Sequence, residues 1–431
     1  MPVALACRNG RADDLVLRGA RVVDPGQGID EVLDVTVENG VVSRVAPGTA
    51  VRPGLVLAPA LVDPHVHLRT PGREDEEDLA SGTAAAARGG YCAVLAMPNT
   101  EPVVDSAAVL EALVERARGE AVVPVGFLAA ITKGQEGAEL SEMVELAESG
   151  AAGFTDDGRP VAAPGLMRRA LQYNRIAGRP LALHCEEPTL SRGGHMHEGA
   201  VSAELGFGGY PSVAESVAVA RDLALAAYEG ERVHLLHLSA RESVDELRRA
   251  QTGGVAATAE VTPHHLCLTD EAVRGLDPNV KMNPPVRAEE DRRALVEALR
   301  EGTITAVATD HAPHALHEKE VPFEAAPFGV TGLETAFSVL YTRLVQPGVI
   351  PLATLLERMS AGPARVYGLE PPRVEVGARA NVVLLDLEAT WRVDEGSFRS
   401  KSANSWLLGE TLRGKVELTV ADGRVVYGGS G

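Results

Sequence analysis

The stretch Leu61-Val62-Asp63-Pro64-His65-Val66-His67-Leu68-Arg69 reads as an apolar strand that ends in two histidines and an arginine. Side chains alternate along a strand, so His65 and His67 share a face, and Arg69 is next in the same series. Two neutral imidazoles converging at a strand end make half of a metal site. Taken alone, such a pair is equally well explained as structural histidines at a partly polar strand end. Three later segments repeat the design: Ala182-Leu183-His184-Cys185-Glu186, Leu235-Leu236-His237-Leu238-Ser239 and Val307-Ala308-Thr309-Asp310-His311. His65, His67, His184, His237 and Asp310, brought to one place, would be costly to desolvate without a cation or partners. Together they outline a metallohydrolase.

Working outward, the middle of the chain alternates apolar strands with Ala-, Leu- and Arg-rich helical stretches. Strands are predicted near 58–68, 91–97, 122–131, 151–155, 180–185, 233–239, 255–261 and 304–310. The clearest helices are 79–88, 107–118, 140–149, 166–177, 213–228, 243–250 and 289–300. Near-continuous apolar strands separated by helices indicate a parallel sheet covered on its outer face. Eight such strands close a TIM-like (β/α)8 barrel with its active site at the strands' C-terminal ends. Every candidate ligand falls at those ends. Asp156-Asp157-Gly158 ends the fourth strand; its bland reading is a plain turn, but a carboxylate there overhangs the same mouth and can bridge two metals.

Both termini read differently. Short strand-like pieces lie at 15–23 and 34–42, the second containing the turn signal Glu38-Asn39-Gly40, and similar pieces follow at 380–386, 416–420 and 424–427. The expected organisation is a discontinuous β-sandwich from residues 1–57 and 364–431 around a catalytic barrel at 58–363.

Composition is ordinary for a globular α/β protein: 431 residues, 45% hydrophobic and 23% charged. A net charge of −19 argues against nucleic acid or an anionic membrane as partner. Cys7, Cys92, Cys185 and Cys267 show no zinc-ribbon or redox spacing. No cationic leader and no long apolar run is visible, so the cytoplasm is the expected location.

The motifs resemble the amidohydrolase superfamily, and most closely the bacterial class I dihydroorotases. The resemblance runs nearly end to end. It rests on residues 63–69, Met97-Pro98-Asn99-Thr100, Phe154-Thr155-Asp156-Asp157-Gly158, Lys281-Met282-Asn283-Pro284-Pro285-Val286-Arg287 and Thr309-Asp310-His311-Ala312-Pro313-His314. Ala326-Pro327-Phe328-Gly329, Gly332-Leu333-Glu334-Thr335 and Ser400-Lys401-Ser402 follow in order. The resemblance implies two zinc ions, one at His65, His67 and Asp310, the other at His184 and His237, with Asp157 bridging. The preference for Asp157 over Asp156 comes from the family pattern; spacing leaves both open. Hydantoinases, which are relatives, bridge with a carboxylated lysine on strand four. This chain has no lysine between Lys133 and Lys281.

The implied activity is reversible ring closure of N-carbamoyl-L-aspartate to L-dihydroorotate in pyrimidine biosynthesis, with Asp310 as the catalytic acid and base. Arg69, beside the ligands, suits the substrate carboxylate as a two-donor fork; its alternative is a solvated surface arginine. Asn99 suits an amide contact. The resemblance adds Asn283, His314, Phe328 and Gly329, although Asn283 also reads as a turn and His314 as a support for a ligand. His195 and His197 sit among glycines and read as non-ligands. His264-His265 reads as packing or ligand support, and His317 as exposed. Competing readings are allantoinase, dihydropyrimidinase, or a silent homologue scaffolding aspartate transcarbamoylase. A homodimer and a complex with aspartate transcarbamoylase are both compatible with the resemblance.

Overall fold

The computed structural model describes residues 3, 5–48 and 52–428. Four strands open the chain: β1 (Leu15–Asp24), β2 (Ile29–Glu38), β3 (Val41–Pro47) and β4 (Leu55–Pro59). The turn between β2 and β3 places Asn39 and Gly40 at φ 50° and 72°. Positive φ at both central positions matches the twist of the flanking strands, which is why Asn-Gly closes this hairpin.

The barrel strands follow: β5 (Leu61–Val66), β6 (Tyr91–Ala96), β7 (Val125–Ala129), β8 (Gly153–Phe154) and β9 (Leu181–Leu183). A small parallel pair, β10 (Met196–His197) and β11 (Gly209–Tyr210), interrupts them in a long connection. Next come β12 (Val233–Leu235), β13 (Ala257–Val261) and β14 (Ala306–Val307). These eight strands are parallel, in the order β14-β13-β12-β9-β8-β7-β6-β5. A parallel bridge from Val66 to His311 closes the ring, with His67 N donating to His311 O at 2.9 Å. Helices Leu79–Arg88, Ala107–Glu120, Pro164–Ala177, Val213–Glu229, Arg241–Thr252 and Glu289–Glu301 bury one apolar face each and pack around the outside.

Three strands end the chain: β15 (Val382–Arg392), β16 (Thr411–Ala421) and β17 (Arg424–Gly428). They join the first four in one seven-stranded sheet, β17-β16-β15-β4-β1-β2-β3. One face, with Ala20, Val22, Val35, Val37, Leu57, Val382, Leu418 and Val420, encloses its own core. The alternate residues Val23, Val56, Ala58, Val383, Leu385 and Val416 face the barrel core instead. The sheet curls on itself, because residue 41 bridges Arg379 in front of β15. The apolar run expected as one strand near 58–68 is divided. β4 pairs with β1 and β15, whereas β5 opens the barrel, and Ala60 between them donates to Asn381 O at 3.0 Å. Among the described residues no helix is long and apolar enough to cross a membrane.

Candidate active site

The ligand-type side chains stand at or just beyond the ends of the barrel strands, on the C-terminal rim. His65 lies in β5 and His67 just beyond it; His184 follows β9, His237 follows β12, and Asp157 and Asp310 follow β8 and β14. Three rim residues adopt the left-handed region: Arg69 at φ 55°, His237 at φ 30° and Asp310 at φ 47°. Each such conformation costs a non-glycine residue about 1–3 kcal/mol, and it turns these side chains from the strand direction into the mouth.

Asp157 sits at the centre. Its Oδ2 lies 3.6 Å from both His65 Nε2 and His67 Nε2. Its Oδ1 lies 3.3 Å from His237 Nε2 and 3.5 Å from His184 Nδ1. Each oxygen thus addresses a different imidazole pair. Asp310 Oδ1 is 3.0 Å from His67 Nε2 and 3.5 Å from His65 Nε2. Burial opposes the charge on Asp157, but the His65 imidazole, with the His184 and His237 rings beside it, holds its carboxyl well below the usual range. Asp156 points elsewhere: Oδ1 accepts from Ile131 N at 2.8 Å and Thr132 N at 3.1 Å, and Oδ2 accepts from the Thr132 hydroxyl. Burial pushes Asp156 up to about 6. It fastens the end of β7, and the centre belongs to its neighbour.

The second nitrogen of three imidazoles is held from outside. His65 Nδ1 lies 2.7 Å from Glu260 Oε1, His67 Nδ1 2.9 Å from Asn99 Oδ1, and His184 Nε2 2.9 Å from Glu186 Oε2. An oxygen acceptor on one ring nitrogen fixes the proton there and leaves the other lone pair facing inward, which is how metal-binding histidines are oriented. The inward His65 Nε2 is buried and has no hydrogen-bond partner. His184 Nδ1 and His237 Nε2 face each other at 3.1 Å. His65, His67 and Asp310 form one group able to hold a divalent metal, and His65, Asp157 and His237 another. Imidazole with carboxylate is a donor set that suits zinc, so the residues fit a metal centre.

A cavity of about 190 Å³ opens on this cluster, lined by His67, Asp157, His184, His237 and Asp310 on one side. Arg69, Asn99, Asn283, His314, Phe328 and Gly329 line the remainder. Arg69 is no surface arginine: its side chain is 15% exposed, and Nε is pinned by Glu76 Oε2 at 2.8 Å and Pro313 O at 3.1 Å. Asn99 stands behind His67 as well as lining the cavity. His314 is engaged at both nitrogens, Nδ1 with Glu76 Oε1 at 3.2 Å and Nε2 with Phe328 O at 2.8 Å. Gly329 N donates to Lys281 O at 2.9 Å, and Gly329 O accepts from Asn404 Nδ2 at 3.2 Å.

The sequence did not point to Glu260, Glu186, Glu76 or Asn404. Glu260 joins His65 to His234, whose Nε2 lies 3.0 Å away, and those two imidazoles hold its carboxyl down at about 2 against the effect of burial. A lone acidic residue inside an apolar strand, as in Ala257-Thr258-Ala259-Glu260-Val261, was the available signal. Glu76, His314 and Glu318 also cluster. Arg69 and Arg73 already neutralise Glu76, at 2.8 and 2.9 Å, and two guanidinium groups oppose a cation there. Among the remaining histidines, His265 is tied to Thr262 Oγ1 at 2.7 Å and Pro284 O at 2.9 Å, and His317 is exposed. His195 and His197 lie around the small β10 strand, outside the cluster. Lys133 pairs with Glu139 at 2.5 Å and its side chain is 45% exposed, so it does not occupy the bridge position.

A family model described as dihydro-orotase-like matches residues 54–243. The chain is 45% identical to a dihydroorotase of Geobacter metallireducens over 96% of its own length and 99% of the relative's. It is 46% identical to a dihydroorotase of Anaeromyxobacter dehalogenans, covering 96% and 98%. Among solved structures, an L-hydantoinase from Arthrobacter aurescens superposes with a TM-score of 0.87 at 25% identity, covering 96% of each chain. A dihydropyrimidinase from Brevibacillus agri shares the fold, with a TM-score of 0.83 at 21% identity and 96% and 95% coverage.

Proposed function

The chain belongs to the dihydroorotase family of cyclic amide hydrolases, and on that premise we propose that it is a zinc-dependent enzyme interconverting N-carbamoyl-L-aspartate and L-dihydroorotate for pyrimidine synthesis. The observation that carries the reading is the pairing, within one cavity, of the Asp157-centred imidazole cluster with the buried guanidinium of Arg69. The first suits amide hydrolysis; the second suits a substrate that carries a carboxylate.

His65, His67 and Asp310 would hold one zinc ion and His184 and His237 the other, with Asp157 between them. When bound, the pair lowers the pKa of water and polarises the scissile carbonyl. In the hydrolytic direction Asp310 takes the proton of the attacking water and delivers it to the departing ring nitrogen. In the biosynthetic direction the same carboxylate removes a proton from the ureido nitrogen, since both steps follow one path. Arg69, fixed through Nε by Glu76 and Pro313 O, presents its remaining N–H groups to the substrate carboxylate, with Asn99, His314 and the Phe328–Gly329 backbone completing that wall. Asn283 contacts the ureide. These local cations outweigh the net charge of −19, because distant surface charges are screened over ~8 Å at physiological salt.

The test is turnover of L-dihydroorotate by zinc-loaded protein beside the neutral ring dihydrouracil. Dihydroorotate turnover with dihydrouracil at least about 100-fold poorer is expected, because a buried arginine deprived of its carboxylate loses about 2–5 kcal/mol. Comparable rates would move the assignment to dihydropyrimidinase.

A further inference from the structure

A (β/α)8 barrel is usually filled by apolar side chains, yet a polar chain runs from the ligand cluster toward the N-terminal ends of these strands. His65 Nδ1 lies 2.7 Å from Glu260 Oε1, and His234 Nε2 lies 3.0 Å from Glu260 Oε2. His234 Nδ1 lies 2.8 Å from Thr258 Oγ1. His65, Glu260 and His234 are buried, and Thr258 is half-buried. His234 and Thr258 are register partners across β12 and β13, and the Tyr367 ring meets the His234 ring edge-on at 5.8 Å. A carboxylate offers only lone pairs, so His65 Nδ1 and His234 Nε2 both turn a proton toward Glu260. A neutral imidazole has one N–H, so His234 Nδ1 is left as an acceptor and the Thr258 hydroxyl donates to it. The opposite His234 tautomer would set a lone pair against the Glu260 carboxylate.

Resting on the metal-centre reading, we propose that His234, with its tautomer set by Thr258, is a positioning residue for the metal centre. It holds Glu260 so that the His65 proton stays on Nδ1 and the Nε2 lone pair faces the metal. Without the His234 N–H, Glu260 Oε2 is a buried carboxylate oxygen that has lost its donor, and leaving it so is costly. The carboxylate then turns or takes up a proton, and either change weakens the acceptor that orients His65. Thr258 stands outside both the cavity lining and the ligand groups, so any effect it has on the metal travels along this chain. A histidine that merely fills the barrel would carry no such effect.

The experiment uses the full-length protein carrying isotope-labelled histidine. Proton–nitrogen NMR of the imidazoles reads each tautomer, chelator competition measures zinc affinity, and urea unfolding follows the zinc-free chain. Wild type is expected to show His234 as the Nε2–H form and His65 as the Nδ1–H form. His234→Phe keeps a ring but no donor, and zinc affinity falls about 10–100-fold. His234→Gln, whose amide N–H can still meet Glu260, stays within about threefold of wild type. Thr258→Val keeps the shape without the hydroxyl and lowers zinc affinity about 3–10-fold, the worth of one neutral hydrogen bond, while Thr258→Ser restores it. In both weakened variants the His65 Nδ1–H signal moves upfield. Wild-type zinc affinity in Thr258→Val and His234→Phe overturns the proposal, as does a wild-type His234 protonated on Nδ1. So does a loss of affinity that only tracks lost stability of the zinc-free chain, with the His65 signal unmoved. A wild type that binds no zinc would instead remove the metal-centre reading beneath it.

Discussion

The curled terminal sheet and the barrel mouth solve opposite problems. In the sheet, alternate residues such as Val22, Val35, Leu57 and Val420 enclose an apolar core, and tight turns at Asn39-Gly40 and Asp422-Gly423 join neighbouring strands. Among the described residues of the sheet, the non-glycine residues at positive φ are Asn39 and Asp422, in those turns. The mouth gathers four imidazoles and two carboxylates at buried positions and holds Arg69, His237 and Asp310 at positive φ. Its side chains are arranged for chemistry, and the sheet and barrel core supply the free energy that keeps them so. Damage to the two regions should therefore appear in different measurements.

The largest effect is expected at Asp310. Asn keeps the size and one oxygen near His67 Nε2 but cannot carry a proton. Turnover of Asp310→Asn should fall by at least about 10²–10⁴-fold in both directions, with unfolding free energy little changed. Steady-state kinetics beside a urea titration separates the two. Near-normal turnover would dissolve the contrast at its strongest point and pass the proton to another group at the rim.

The converse change is Leu57→Ala, in the fully buried core of the sheet. Deleting this side chain should cost about 2–5 kcal/mol of stability, while kcat per folded molecule stays within twofold of wild type. A drop in kcat at full folding would mean that the sheet transmits strain to the rim, and the division proposed between the two regions would fail.

The same contrast explains what the sequence discloses. Strand alternation and the Asn-Gly turn are local signals, so the sheet was readable strand by strand. The division at Ala60 was not, because β4 and β5 form one continuous apolar run and only their partners separate them. At the mouth the ligand residue types were visible as polar interruptions at strand ends. The choice between Asp156 and Asp157 was not visible, since both sit in one turn and only the path of the backbone decides which faces Thr132 and which faces the imidazoles. Glu186, Glu260 and Glu76 escaped for a related reason. Each acts by holding another side chain, and partners as far apart as Glu260 and His65 (195 residues), Glu186 and Asn283 (97) or Glu76 and His314 (238) leave no spacing to read.

One segment crosses the divide. Residues 400–404 belong to the C-terminal stretch, yet they reach the barrel mouth: Ser400 Oγ donates to Glu77, and Ser402 Oγ donates to Glu76 O at 2.7 Å. Asn404 goes furthest. Its Oδ1 accepts from His314 N at 3.1 Å, and its Nδ2 donates to Ala312 O at 3.1 Å and Gly329 O at 3.2 Å. One buried amide thus fixes both sides of the wall that carries His314 and Gly329. Replacing it by Ala leaves those backbone groups unpaired, at about 1–3 kcal/mol. If the segment serves only the fold, that cost appears entirely as lost stability and KM is unchanged. If it positions the substrate wall, KM for dihydroorotate rises about 10-fold with kcat within about threefold, because a looser wall weakens binding of substrate and transition state alike. The second outcome is expected, since the amide bonds the wall from both sides.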